Sequence, residues 1–578
     1  MVANAVASLF ASLFAGSSGP LDFLFTTWKG AFFENDNFRN NFLTPMAIGL
    51  SLTTAALFMI ERRARFLGQP FTKKTARTVG IILTVLGVIT YFDWLNPNVR
   101  YPNYYHRHEF YHYYMGSKYF EEVGYQRLYE CTAVAEVELG FGDKLKKQEL
   151  RDLRVNLITP ITNTYVFSDP DQCKSHFKPE RWDLFKTDIK WFEESARGDY
   201  WDNMKKDHGY NPPPVWTMSG KFFSSFAPAG DGFFKLLSLI DVAFHIGIIV
   251  LLGWAFGWRV MTVGSVFWGC NAVANFYWTG GAFMRQDWVF FIVASVCLAR
   301  KRYFGLSGAA LMWSALLRVF PVVSFFGAGV IVALDLFRNR RIRPDFKRWI
   351  AGAAIALAVL VPASMAVCGV DSYKAFATHI GRHRATPLTN HMGLETILSH
   401  SWSGRMRFTQ DDRLDDPFEG WKDGRIERVA KLKWLQDIIV LFIAGWIAWA
   451  LRRTKLIWVG IALSAPLTIT LLNLTCYYYA LLVASVVLVR ARPALAVALL
   501  ATSAASQVLH YRFWFIDDKF TAHSYLFYAL GLLLLIGYSR PFSVARLKAW
   551  LARKPEPRSP QPPQSPKSEH PERVSASA

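Results

Sequence analysis

Nine consecutive residues, HRHEFYHYY at 106–114, set the single carboxylate of Glu109 among Arg107, three histidines and three tyrosines. They belong to a longer stretch, Asn103 to Cys131, that follows an apolar run ending near Trp94 and opens the longest polar segment of the chain. Histidine, arginine and tyrosine in such numbers suit a sugar, a phosphate or a lipid headgroup. A carboxylate among them can take a proton from an acceptor hydroxyl, while imidazoles or a guanidinium orient it or meet an anionic donor. The plainer account is a surface carboxylate satisfied by Arg107. Cys131 and Cys173 both fall in the same polar segment and either pair, if it faces an oxidising compartment, or stay as two free thiols.

What positions this stretch is a membrane. The chain has 578 residues, 52% hydrophobic and only 19% charged, with a mean hydropathy of +0.16 and repeated apolar runs of lipid-spanning length. A formal charge of +21 would suggest nucleic acid in a soluble domain, but Lys and Arg gather in short joints between apolar runs, so no nucleic-acid partner is expected. The joints at 62–77, 300–302 and 338–348 read as cytoplasmic, with anionic lipid as their partner. The spacing predicts an all-α polytopic membrane protein with about thirteen spans and two substantial external loops. Residues 1–42 form an interfacial or re-entrant segment and 43–94 a first hairpin. The first external domain is 95–236, followed by a bundle over 237–368, a second external loop over 369–433 and a C-terminal bundle over 434–538. The tail, 539–578, is basic, Pro- and Ser-rich and partly disordered, a cytoplasmic segment through which a protein partner can bind.

Other constellations sit near the outer ends of spans. YNPPPVW, from Tyr210, is a stiffened loop or simply a rigid entry to a membrane helix. GGAFMRQDW carries Arg285, which faces a cavity or snorkels to the interface. Arg318 interrupts an apolar hairpin before Val319, Phe320 and Pro321; it either holds a phosphate or pairs with an acid such as Asp241. Asn390, His391 and Arg405 stand in the second external loop, beside an acidic run, QDDRLDDPFEGW, that lacks the pattern of a calcium loop and reads as solvated. The phosphate loop GxxxxGK[ST], the dinucleotide fingerprint and GxSxG do not occur.

EFYHYYMG at 109–116 with GYQRLY at 124–129, then YNPPPVW, GGAFMRQDW, Arg318-Val319-Phe320-Pro321 and TNHMGLETILSH, resemble in their order the motifs of the GT-C superfamily of integral membrane glycosyltransferases. The likeness, over roughly 80–540, is nearest to the bacterial polyprenyl-phosphate-mannose-dependent mannosyltransferases of the glycosyltransferase 87 type. It implies an inverting transfer from a polyprenyl-phosphate-linked sugar to a hydroxyl acceptor. Glu109 would be the base, with Arg318, Arg285 and Arg405 at the donor phosphate. Arg107, His108, His112, Tyr113, Tyr210, Asn390 and His391 would form the substrate pocket. It implies no cofactor and no metal ion, a bacterial inner-membrane location and long loops in the periplasm. The sequence departs from the family in having Glu where Asp is usual and Arg318 where Lys is usual, changes that alter reach and geometry. A transporter or flippase of lipid-linked or polar substrates, and a catalytically diverged assembly subunit, are the competing readings.

Overall fold

Backbone placed in hydrocarbon has to satisfy its own hydrogen bonds, and the apolar runs accordingly fold as helices. The computed structural model describes residues 42–95, 104–196, 198–414 and 416–539. The interfacial segment expected over 1–42, apart from Phe42, and the tail beyond Ser539 lie outside them. Among the described residues, seven helices are long and apolar enough to cross a membrane: Thr44–Phe66, Lys73–Tyr91, Asp231–Phe256, Phe320–Asn339, Pro344–Cys368, Glu419–Leu451 and Ile516–Tyr538. The chain is therefore an α-helical integral membrane protein.

Leu495–Arg512 is an unbroken helix of 18 residues, and the other apolar runs form shorter or broken pieces. Trp258–Gly269, Asp287–Arg300 and Phe304–Leu317 have 12, 14 and 14 residues, and the 455–472 run is split into Ile457–Leu463 and Ala465–Leu471 ahead of Pro466. Cys476–Arg490 winds as a 15-residue 3-10 helix, nearly all of it buried. A rise of about 2.0 Å per residue stretches such a run to about 30 Å, the thickness of a bilayer's hydrocarbon core, which an α-helix of this length would not reach. Glu419–Leu451 does the opposite. Its 33 residues extend about 50 Å, so the part of the expected second loop from 419 to 433 is the projecting end of a membrane helix.

With no aqueous driving force between helices in lipid, small residues at the contact permit close approach. A Cβ added at Gly308 would lie 1.9 Å from the carbonyl oxygen of Trp349, and one at Gly352 would lie 1.9 Å from that of Gly305, so Phe304–Leu317 and Pro344–Cys368 touch through their backbones.

The first polar segment folds on buried ion pairs. Lys118 Nζ donates to Asp188 at 2.7 Å, where Tyr119 Oη and the Ala229 N–H also donate. Lys205 Nζ and Trp201 Nε1 share Glu136 at 2.6 and 2.7 Å. With their remaining lone pairs occupied these pairs tolerate burial, and losing one partner would cost about 3–5 kcal/mol. Cys131 and Cys173 are disulfide-bonded, Cα to Cα 5.5 Å, tying helix Leu128–Glu136 to Asp171–Lys174. The other four cysteines are unpaired. Two antiparallel strand pairs complete the polar parts: Glu149–Asp152 with Leu157–Pro160, and His391–Met392 with Leu474–Thr475.

Candidate functional site

A cavity of about 500 Å³ opens where the two long polar segments meet the ends of the membrane helices. Glu109, His108, His112 and Tyr113 form one wall, Arg151 and Asp207 another, Arg285 and Tyr477 the membrane side, and Asn390, Trp421 and Lys422 the second polar segment's share. The strand pair between 391–392 and 474–475, with the Cys476 N–H donating to the Asn390 carbonyl at 3.0 Å, sets Asn390 beside Tyr477.

Glu109 sits on the helical turn Arg107–Phe110, which passes into a π-helical turn over Tyr111–Met115. Such turns occur frequently at functional sites because the wider winding re-aims side chains. The turn is anchored by the His106 N–H donating to the Gly281 carbonyl at 2.8 Å. Gly281 has φ +70°, and a Cβ there would come within 2.8 Å of the Tyr104 carbonyl oxygen, so glycine permits both the bend and the approach.

The Gly281–Asp287 loop delivers the opposing charge. Asp241 accepts from the Arg285 and Gln286 N–H groups at 2.9 and 3.0 Å, and Trp216 Nε1 donates to the Met284 carbonyl at 3.0 Å. So held, Arg285 reaches Glu109, Nε to Oε2 3.0 Å. The same guanidinium donates to Tyr113 Oη and lies over the Tyr113 and Tyr477 rings, 4.4 and 5.1 Å from their centroids. Arg285 is 3% exposed and Glu109 14%, so the pair faces the cavity from behind.

The other expected site residues divide between the cavity and its surroundings. His108, His112, Tyr113 and Asn390 line it with Glu109 and Arg285. Arg107 turns the other way, donating to Tyr105 Oη at 3.1 Å and stacking near Trp191. It is Arg285, not Arg107, that forms the ion pair with Glu109. Tyr210 is buried, its hydroxyl donating to Thr217 Oγ1 at 2.7 Å, while its neighbours Gly209 and Asn211 reach the cavity. His391 is 8% exposed and accepts from the Leu388 N–H at 3.3 Å. Burial, with His383, His208 and Arg425 nearby, drives its imidazole down to about 3.

Arg318 is buried behind Tyr113 and Trp216, 5.9 and 5.5 Å from their centroids, and donates to the Leu317 carbonyl at 2.7 Å. The acid it senses is Asp287, not Asp241, which caps the Arg285 loop. Arg405 lies over Trp402 at 3.3 Å and faces Asp518 at 3.5 Å, a separate cluster. The acidic run is internally paired, Asp411 with Arg413 at 2.7 Å and Asp416 with Lys422, while Asp415 lies outside the described residues.

Among the polar residues of the cavity that were not expected are Arg151, Asp207, His208, His383 and Lys422. Asp207 and His208 stand just before YNPPPVW, a local signal, but Arg151 and His383 arrive by tertiary folding alone. Asp207 faces His108, Nε2 to Oδ2 3.5 Å. The expectation of a site without a metal ion also took the zinc motif H-E-x-x-H to be absent, whereas HEFYH at residues 108–112 has that spacing.

Comparison with protein-family models, with curated proteins and with solved structures gives no match to this chain.

Proposed function

We propose that the chain is a GT-C-type membrane glycosyltransferase, nearest in kind to the polyprenyl-phosphate-mannose-dependent enzymes. On this proposal it transfers a sugar from a polyprenyl-phosphate donor to a hydroxyl acceptor with inversion. The observation that carries the reading is the Glu109 carboxylate, fixed by Arg285 at the wall of the cavity between both polar segments and the membrane helices. The acceptor O–H loses its proton to Glu109 as its oxygen bonds the anomeric carbon, and the carbon–oxygen bond to phosphate breaks, its electron pair leaving on the lipid phosphate. Arg285, Arg151 and Lys422 bring positive charge to the cavity for that phosphate, and Arg318 adds its field from behind Tyr113. A donor already anchored in lipid needs no nucleotide-binding fold.

Thirteen crossings follow if the short runs also span, the 3-10 helix by its longer rise. The basic joints then lie in the cytoplasm, with both polar segments in the periplasm of a bacterial inner membrane. The Cys131–Cys173 bond suits that oxidising side. Single cysteines placed at Val155 and Trp402, 59% and 72% exposed, should react with an impermeant maleimide on intact spheroplasts. Protection of both until lysis would invert the topology.

The activity itself is tested with purified protein in nanodiscs, offered extracted polyprenyl-phosphate sugars and simple glycoside acceptors. Radiolabel should pass to the acceptor with inverted anomeric configuration. Movement of the lipid-linked sugar across a sealed vesicle without transfer would replace the proposal with a flippase, and neither transfer nor movement would leave an assembly role.

A further inference from the structure

Outside the Glu109–Arg285 pair, one group of side chains in the cavity has no role in the transfer just described. His108, His112 and Asp207 each offer a ligand atom, and the three atoms lie within 4.8 Å of one another. We propose that they form a binding site for a divalent transition-metal ion of the zinc class. The site stands independently of the sugar-transfer reading, and it revises the expectation of a site without metal.

The sequence places two of the ligands by helical geometry. Residues four apart stack on one helix face, so the histidines of H-E-x-x-H point the same way, with the carboxylate of Glu109 between them in sequence. The third comes from 99 residues away in the chain, on the loop preceding Gly209, and it supplies the negative charge. Two imidazoles and one carboxylate are a ligand set for zinc or ferrous iron that leaves coordination positions open. Ligand atoms held about 2.0–2.2 Å from such an ion are about 3–3.6 Å from each other. His108 Nε2 and Asp207 Oδ2, at 3.5 Å, already meet that spacing. The His112 corner closes with a shift of about 1 Å.

His112 is held in the form a metal requires. Its Nδ1 lies 2.8 Å from the His108 carbonyl oxygen, an acceptor, so Nδ1 carries the proton and Nε2 the lone pair. Tyr129 is compatible with that form, its hydroxyl being free to donate to Nε2. Its oxygen receives the Gly209 N–H at 2.9 Å and lies 2.6 Å from His112 Nε2. An arriving cation takes the place of that hydrogen bond. Access comes from the cavity, where 26% of the His108 side chain and 45% of the Asp207 side chain remain open. When bound, the ion would supply a fixed positive charge facing the cavity, for an anionic oxygen or a bound water.

The test uses the full-length protein in nanodiscs, stripped with a chelator, dialysed, and titrated with Zn²⁺ against a chromophoric competitor. One equivalent should bind per chain, and Co²⁺ should give the visible absorption of a four- or five-coordinate site. His112→Ala and Asp207→Asn should each weaken binding by at least about 100-fold, the upper end of what outer partners alone contribute. Glu109→Gln should keep the affinity, separating the metal site from the base. Should a ligand variant fail to fold, X-ray absorption on the unaltered protein decides: two imidazoles around the ion support the site, and none overturns it. No Zn²⁺ or Co²⁺ uptake below about 0.1 mM, or equal affinity in both ligand variants, also overturns it. Metal-dependent peptide hydrolysis in place of sugar transfer would keep the site and remove the transferase reading.

Discussion

Glycosyl transfer should fall by about 10²–10⁴-fold in Glu109→Gln, with donor affinity close to the parent's, because a general base contributes on that order. The amide keeps the size of the side chain and still offers Arg285 an acceptor oxygen, so the 3.0 Å contact has a successor and the cavity wall its shape. What disappears is the basic oxygen that would receive the acceptor's proton. Product formation and lipid-phosphate binding should be measured on the same preparation, with thermal unfolding as a control. Transfer near the parental rate would remove Glu109 as the base. Loss of donor binding together with transfer would instead assign it to positioning.

The polar half of this site was legible wherever a local pattern carries the chemistry. Glu109 stands out because a carboxylate among imidazoles directly after a membrane run is costly unless used or paired, and Arg285 because a guanidinium at the end of an apolar run needs an acid. Their partnership was not legible. It depends on Gly281 bending the loop and on Asp241 accepting two backbone N–H groups, contacts over 44 or more residues for which no spacing rule exists. Arg107, two residues before Glu109 in sequence, looks like its natural counter-ion. The helical turn instead places side chains two apart on different faces, and Arg107 ends beside Trp191.

The membrane half shows a related limit. Hydropathy finds each apolar run but does not choose its winding. Cys476–Arg490 and Phe304–Leu317 have similar lengths and are both apolar, yet the first is a buried 3-10 helix and the second an α-helix packed on glycines against Pro344–Cys368. Nor does hydropathy find where a helix ends once it leaves lipid, because a charged, solvated helix such as 419–433 has no apolar stripe to announce it.

Arg285→Lys should lower transfer by about 10²-fold in a folded protein, the size of loss expected when a reacting group is displaced by about 1 Å. Lysine retains the charge but replaces a rigid fork of five donors with a point charge on a flexible stem. Arg285 uses that fork in two directions at once, Nε toward Glu109 and Nη1 toward Tyr113, while its plane lies over Tyr477. A lysine cannot hold both partners, so the carboxylate loses its aim. Alanine is the poorer probe, because it would leave Glu109 largely buried without its counter-ion, at a cost of about 3–5 kcal/mol in stability. The decisive measurement is the double variant. If Arg285 acts by orienting Glu109, then Glu109→Gln with Arg285→Lys should be no slower than Glu109→Gln alone, since residues that work as one unit lose their effect together. Two losses that multiply would place Arg285 on the donor phosphate independently of Glu109. Parental rates in the single lysine variant would take Arg285 out of the site's chemistry altogether.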